Sequence, residues 1–451
     1  MDPKLLPLIQ RIDEKKDAVL AAERHIWENP EPGYREWKTH AYLAGLYREL
    51  GYKLVEFENI PGFYTDIDTG RPGPTLAVFG ELDSLIIASH PDCDPETKAV
   101  HACGHNCQSA ALYGVAVALA DPALLSSLSG RIRLIAVPAE EMIETDFRAS
   151  LREKGVIRFF GGKQELIYRG ILDDVDLAMM IHTKGGEGLS VGVGSNGCVI
   201  KREEFIGRAA HAGGAPCNGH NALYAANLAM NAANALRETF REKDYVRFHP
   251  IITKGGDAVN AIPDRVVVES YVRGATLSAM KEANEKINLA LAASAAALHC
   301  DLLFSDEMGY MPRFNEETLR RITLEAGRDF FPEEQLKFET GWSTGSSDMG
   351  DVATLMPAVH PHIGGAGGSA HSSNYHIVDP EMATVTSAKV QTGMIFRILK
   401  DGAEAAKKIV ASYKPVFASR EEYIRAMEQF DLRIHGVTFD ENGTVTLKYK
   451  N

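Results

Sequence analysis

Three short runs constrain the fold more than any other feature of the chain: Thr75–Phe79 (TLAVF), Arg131–Val137 (RIRLIAV) and Leu177–Ile181 (LAMMI). Each is apolar at nearly every position rather than at every second one, as in a strand covered on both faces. A helix-like segment, Gln108–Leu119, separates the first two. Helical periodicity also runs from about Leu5 to Glu28 and through Lys38 to Leu50. Strands alternating with helices predict an α/β domain on a largely parallel sheet. With 451 residues, 45% of them hydrophobic, the chain is long enough for more than one such core.

The charge balance argues against whole classes of partner. Lys+Arg 48 against Asp+Glu 61 gives 48 − 61 = −13, which disfavours nucleic acid and anionic membranes. The longest apolar run, Ala110–Ala120, is about half the roughly 20 residues of a membrane span. MDPKLLPLIQRIDEKKD lacks the apolar block and cleavage site of a secretory signal. Six cysteines, at 93, 103, 107, 198, 217 and 300, are too sparse for a disulfide framework. The expected compartment is therefore a reducing cytoplasm.

Near Gly192 the pattern changes. Val199–Ile206 and Arg265–Ala275 read as half-exposed strands, and the long segments Asn221–Phe240 and Leu277–Leu298 read as helices. Two strand–helix pairs predict a small α+β domain, with helices on one face of an antiparallel sheet. After about Gly309 the α/β style returns. The expected division is 1–194 and 309–451 for a discontinuous first domain, with 195–308 inserted in it. The tail after Lys414 carries VTFDENGTVTLKY, a hairpin with an Asn442-Gly443 turn.

Each apolar run ends in metal-competent residues, and ligands gather at the carboxyl ends of such strands. TLAVF runs into Gly80-Glu81-Leu82-Asp83, RIRLIAV into Pro138-Ala139-Glu140-Glu141, and LAMMI into His182-Thr183. Between them lies His101-Ala-Cys103-Gly-His105-Asn106, in which thiolate and imidazole are transition-metal donors and the glycine lets the backbone turn. Taken alone, a cysteine is a small buried apolar residue, a histidine a satisfied interior one, and Glu140-Glu141 a solvated pair. Together they point to one metal site, with one glutamate on the metal and the other moving protons. Ala370-His371-Ser372-Ser373-Asn374 follows the glycine-rich Gly364–Gly368 and offers a more distant ligand. Two motifs lead nowhere. Gly192-Val-Gly194-Ser-Asn-Gly197 matches a dinucleotide fingerprint but is followed by a strand-like CVIKREEFIG, and no G-x-S-x-G elbow is present.

Taken in order, HACGHN, PAEE, IHT, GRAAHAG, NAIPDR and AHSSNY resemble the M-twenty family of metal-dependent peptidases and amidohydrolases. The resemblance runs from ENPEPGYREWKT through HSSNYHIVDPE, most of the chain. HACGH is similar to the branch of indole-acetyl-amino-acid hydrolases and aminoacylases. GELDSL and STGSSDMGDV look closest to p-aminobenzoyl-glutamate hydrolases. Ile86–Lys98 and the tail after Lys414 have no counterpart in that pattern.

The resemblance implies a largely parallel-sheet metallohydrolase domain with an inserted α+β dimerisation domain. It implies two divalent metal ions per subunit, Zn2+ or Mn2+, held by Cys103, His105, Glu141, His182 and His371. Glu140 becomes the general base, and Asp83 the residue that orients ligands. His211 and Asn260 contact the oxyanion and the substrate carboxylate, with Arg273 a further candidate for the latter. The implied assembly is a homodimer or a larger oligomer of it. The implied reaction cleaves the amide of an N-acyl amino acid or small dipeptide-like molecule. The alternatives are an exopeptidase or dipeptidase on short peptides, and a non-catalytic metal-binding relative.

Overall fold

The three apolar runs become adjacent strands of one sheet. After β1 (Phe63–Asp68) they are β2 (Thr75–Glu81), β3 (Arg131–Val137) and β4 (Leu177–Met179), and the spatial order is Val55–Glu56, β1, β3, β2, β4, Ala358–Val359. β2 runs parallel to β3 and β4, Ala358–Val359 runs parallel to β4, and β1 is antiparallel at the other side. β4 and β3 therefore flank β2 although both follow it in sequence. In open α/β sheets such a reversal marks where ligands bind, at the carboxyl ends of the strands, and the acidic and histidine clusters follow those ends here.

Every residue of β2 is buried, and so is every residue of the helix that covers it, α1 (His105–Leu119). The helix lies close because Gly80 has no side chain: a Cβ there would stand 3.1 Å from Leu112 Cβ. Fully buried aliphatics such as Val78, Leu134 and Leu177 each contribute about 1.5–3 kcal/mol. After β3 the chain forms α2 (Thr145–Glu153) and α3 (Gly162–Tyr168).

The structure, a computed structural model, describes residues 1–450. It divides into two compact units. The first, just outlined, comprises Met1–Gly194, Phe314–Trp342 and Asp351–Arg420; the second comprises Ser195–Arg313, Ser343–Gly350 and the chain from Glu421 onward. In the second unit β5 (Gly197–Ile206), β6 (Arg247–Lys254), β7 (Arg265–Gly274) and β8 (Asp301–Tyr310) form an antiparallel sheet with α4 (Ala222–Ala235) and α5 (Leu277–Ala297) packed against it. The hairpin of the tail, β9 (Leu432–Phe439) and β10 (Val445–Leu447), extends the sheet to the order β6, β7, β5, β8, β9, β10.

Three features differ from the reading of the sequence. The end of the chain, placed there with the α/β domain as part of 309–451, instead pairs β9 with β8 in the second unit. β5, read as half-exposed, is buried at eight of its ten positions. Its lysine and first glutamate turn inward: Lys201 donates to Asp306 (2.7 Å) and Asn288, and Glu203 Oε1 lies 3.0 Å from Lys201 Nζ. The LAMMI strand stops at Met179, and His182 opens a separate short strand, His182–Gly185, that pairs with His362–Gly367.

Candidate metal centre

Cys103 and His105 flank a glycine that must be a glycine. Gly104 holds φ +83°, and a Cβ on it would stand 2.6 Å from Tyr375 Oη and 2.9 Å from Thr183 Cβ. The turn ends at His105, the first residue of α1. Glu140 and Glu141 follow directly from β3, both side chains being buried. His182 begins its short strand, and its Nδ1 sits 2.7 Å from the Thr183 carbonyl oxygen, so that nitrogen carries the proton and Nε2 keeps its lone pair. His371 is tied to the cysteine loop by its own N–H, which donates to Ala102 O at 2.9 Å.

These elements converge. Ligand atoms of Cys103, His105 and His182 lie within 4.8 Å of one another, as do those of Cys103, Glu141 and His371, and those of His105, Glu140 and Glu141. The triplets share members, so the six residues form one continuous patch that could hold more than one ion. Cys103 Sγ is 3.5 Å from His182 Nε2, and His371 Nε2 is 3.1 Å from Glu141 Oε1. Asp83 joins them from behind: Oδ1 is 3.1 Å from His105 Nδ1, and Oδ2 accepts the Glu141 N–H at 2.8 Å. That fixes the His105 tautomer and leaves Nε2 as the donor atom.

The buried polar atoms fit a cation. His105 Nε2 and Glu81 Oε2 are shielded from solvent and lie 3.2 Å apart, and the shielded Glu141 Oε1 lies 3.1 Å from His371 Nε2. Carboxylate and imidazole atoms crowded together in such a place are costly unless a positive charge meets them. Burial pushes the Cys103 thiol up, but the imidazoles of His182 and His105 outweigh it and hold the thiol well below its usual range. Hydrogen bonds to Cys103 and Glu141 push His371 up to about 11. A thiolate, imidazoles and carboxylates held this close combine soft, borderline and hard donors, a set that fits divalent metal ions.

Several further participants, one of them in the GELD ending and others outside every motif, surround the ligands. Glu81 is fully buried, its Oε1 accepting from Lys163 Nζ at 2.6 Å and its Oε2 3.2 Å from His105 Nε2. Lys163 lies in α3 and matches no motif. The Arg148 guanidinium, on α2, donates to the Glu141 carbonyl oxygen. His101, inside the HACGH motif, belongs to none of these groups; burial lowers it to about 3, so it stays neutral. In the glycine-rich Gly364–Gly368 backbone packs closely on backbone, since a Cβ on Gly364 would lie 2.3 Å from Gly186 O.

The remaining candidates lie in the second unit. His211 and Asn260 are neighbours there, with Ala212 N–H donating to Asn260 O at 3.0 Å. His211 Nδ1 accepts the N–H groups of Gly213 (3.2 Å) and Gly214 (2.8 Å), so its proton sits on Nε2, an exposed donor. Arg273 stands apart from that pair: Nη1 donates to Ser346 Oγ at 3.0 Å, and Nε donates to His249 Nε2 at 3.2 Å.

Residues 62–395 match the family model described as peptidase family M20/M25/M40. The Xaa-Arg dipeptidase of Mus musculus is 28% identical over 370 residues, covering 78% of this chain and 78% of that protein. One of the p-aminobenzoyl-glutamate hydrolase subunits of Escherichia coli is 29% identical over 244 residues, covering 50% of this chain and 51% of that one. The crystal structure of the Bacillus subtilis YxeP protein, described as a dinuclear metal-binding peptidase, superposes with a TM-score of 0.63 at 18% identity. It covers 85% of this chain and 98% of that one, and shares the fold.

Proposed function

The chain belongs to peptidase family M20/M25/M40, hydrolases of peptide and amide bonds, and from that premise we propose that it cleaves N-acyl amino acids or small dipeptide-like amides at a dinuclear metal centre. The observation that carries this reading is the continuous patch of Cys103, His105, Glu140, Glu141, His182 and His371. Five of the six are the ligands, and Glu140 is the base. Two divalent cations, Zn2+ or Mn2+, supply Lewis acidity that polarises the scissile carbonyl and makes a water acidic near neutral pH.

The chain's own residues do the rest. Glu140 takes the proton from the attacking water and returns it to the leaving amine nitrogen, which yields a carboxylate and an amine. Asp83 holds His105 and the Glu141 backbone in place. The Nε2–H of His211 donates to the developing oxyanion, and Asn260 and Arg273 receive the substrate carboxylate.

Dimerisation through the second unit is supported by its edge. β6 is a terminal strand with unpaired backbone groups, and Ile251 on it is 62% exposed. Tyr224 and Leu228 of α4 are exposed as well. A second copy of the chain is the occupant this apolar edge suits, in keeping with symmetric pairing. The cytoplasm suits a centre built on a thiolate, and no helix among the described residues is long and apolar enough to cross a membrane.

The similarity to an Xaa-Arg dipeptidase over most of both chains favours a second reading, a dipeptidase. Metal analysis followed by amine-release assays separates the two. Turnover of N-acyl amino acids above that of dipeptides supports the first reading, the reverse order supports the second, and no turnover of either by the metal-loaded protein refutes both.

A further inference from the structure

Ala139, the residue before Glu140, holds φ +55°. An alanine takes that left-handed conformation only where its surroundings enforce it. Around it the backbone is fastened group by group. Leu82 N–H donates to Val137 O (3.0 Å), Gly162 N–H to Ala139 O (2.9 Å), and Glu141 N–H to Asp83 Oδ2 (2.8 Å). The N–H of Ala139 donates to Glu36 Oε1 at 2.8 Å.

Glu36 is the residue that makes this contact, and its own backbone N–H also bonds its carboxyl. It occupies the N-cap position of the helix Trp37–Glu49, yet its side chain makes no capping bond. The side chain is instead fully buried and reaches across 103 positions of sequence to the turn. Its other oxygen, Oε2, is buried without a hydrogen bond. Burying a carboxyl this completely is costly for a residue that only filled space.

We propose that Glu36 is a positioning residue, which by accepting the Ala139 N–H holds the left-handed turn that presents Glu140 and so sets the rate of turnover rather than substrate affinity. The inference rests on the reading of Glu140 as the proton carrier. It names a residue 104 positions away from Glu140 that touches neither substrate nor metal. Misplacing a reacting group by about 1 Å can cost about a hundredfold in rate, so losing this anchor is expected to be visible.

The experiment compares kcat, KM and metal content in Glu36→Met, Glu36→Gln and Glu36→Met/Ala139→Gly. Glu36→Met should lower kcat at least about tenfold, with KM within about twofold and metal content unchanged. Glu36→Gln keeps the acceptor oxygen and should stay within about threefold of wild type. Glycine takes a positive φ without help, so Ala139→Gly should restore kcat at least about threefold in the Glu36→Met background. Wild-type kcat in Glu36→Met, an equal loss in Glu36→Gln, or no rescue by glycine each overturns the proposal. Should Glu36→Met not fold, Glu36→Ala is read in the Ala139→Gly background, where a loss beyond about tenfold relative to Ala139→Gly overturns it. Glu140→Gln is assayed alongside. Loss there with wild-type kcat in Glu36→Met defeats this proposal alone, whereas wild-type turnover in Glu140→Gln defeats the reading beneath it.

Discussion

Asp83 Oδ1 lies 3.1 Å from Nδ1 of His105, and both side chains are sealed from solvent. Asp83 fixes which imidazole nitrogen carries the proton, through Oδ1 together with its backbone carbonyl oxygen at 2.9 Å, and its other carboxylate oxygen holds the Glu141 backbone. Replacing that carboxylate by an amide therefore disturbs two ligands at once. Asp83→Asn is expected to weaken metal affinity by about 10–100-fold, measured by chelator competition. Unchanged affinity would mean that the pair is only structural.

Cys103 gives a second test. The nearby imidazoles favour its thiolate against the effect of burial, and the thiolate is the form that attacks an alkylating agent. Iodoacetamide should label Cys103 readily in the metal-free protein, and zinc or manganese should protect it. The same labelling rate with and without metal would contradict ligation.

Much of this centre is legible in the sequence, because its donors follow the ends of strands that the apolar runs announce. TLAVF, RIRLIAV and LAMMI sit side by side in one sheet, which brings residues 83, 140–141 and 182 together. The supporting contacts are not legible there. Glu36 and Lys163 act through partners 103 and 82 positions away, and sequence periodicity reports only neighbours a few residues apart. β5 misleads for a related reason. Its KREE stretch looks solvated, but Lys201 is met by Asp306 and Asn288 from other elements, and Glu203 by Lys201 itself.

That buried network predicts how stability changes with pH. Burial, opposed by the Lys201 ammonium, raises Glu203 from its ordinary 4.5 to about 7. A carboxyl raised on folding holds its proton more tightly in the folded chain. Its contribution is thus present below about 4.5 and is lost as pH rises through about 7. The loss is at most on the order of 3 kcal/mol. Urea unfolding at pH 5 and pH 8 should show a smaller drop in Glu203→Gln than in wild type; equal drops would contradict the assignment.

The dimer carries a prediction of its own. If His211 serves the partner's site, inactive Glu140→Gln and His211→Ala chains should regain activity when mixed. Random assortment makes half the dimers mixed, each with one whole site, so recovery should approach about a quarter of wild type. No recovery after verified subunit exchange would confine His211 to its own chain or remove it from catalysis.

The central claim is that one carboxylate of the adjacent pair moves the proton while the other binds metal. Glu140→Gln tests it most directly, with kcat and bound metal measured on the same preparation. The expected result is an unchanged metal content with kcat lower by at least about 10². Near-normal turnover, or loss of metal together with activity, would contradict that division of labour.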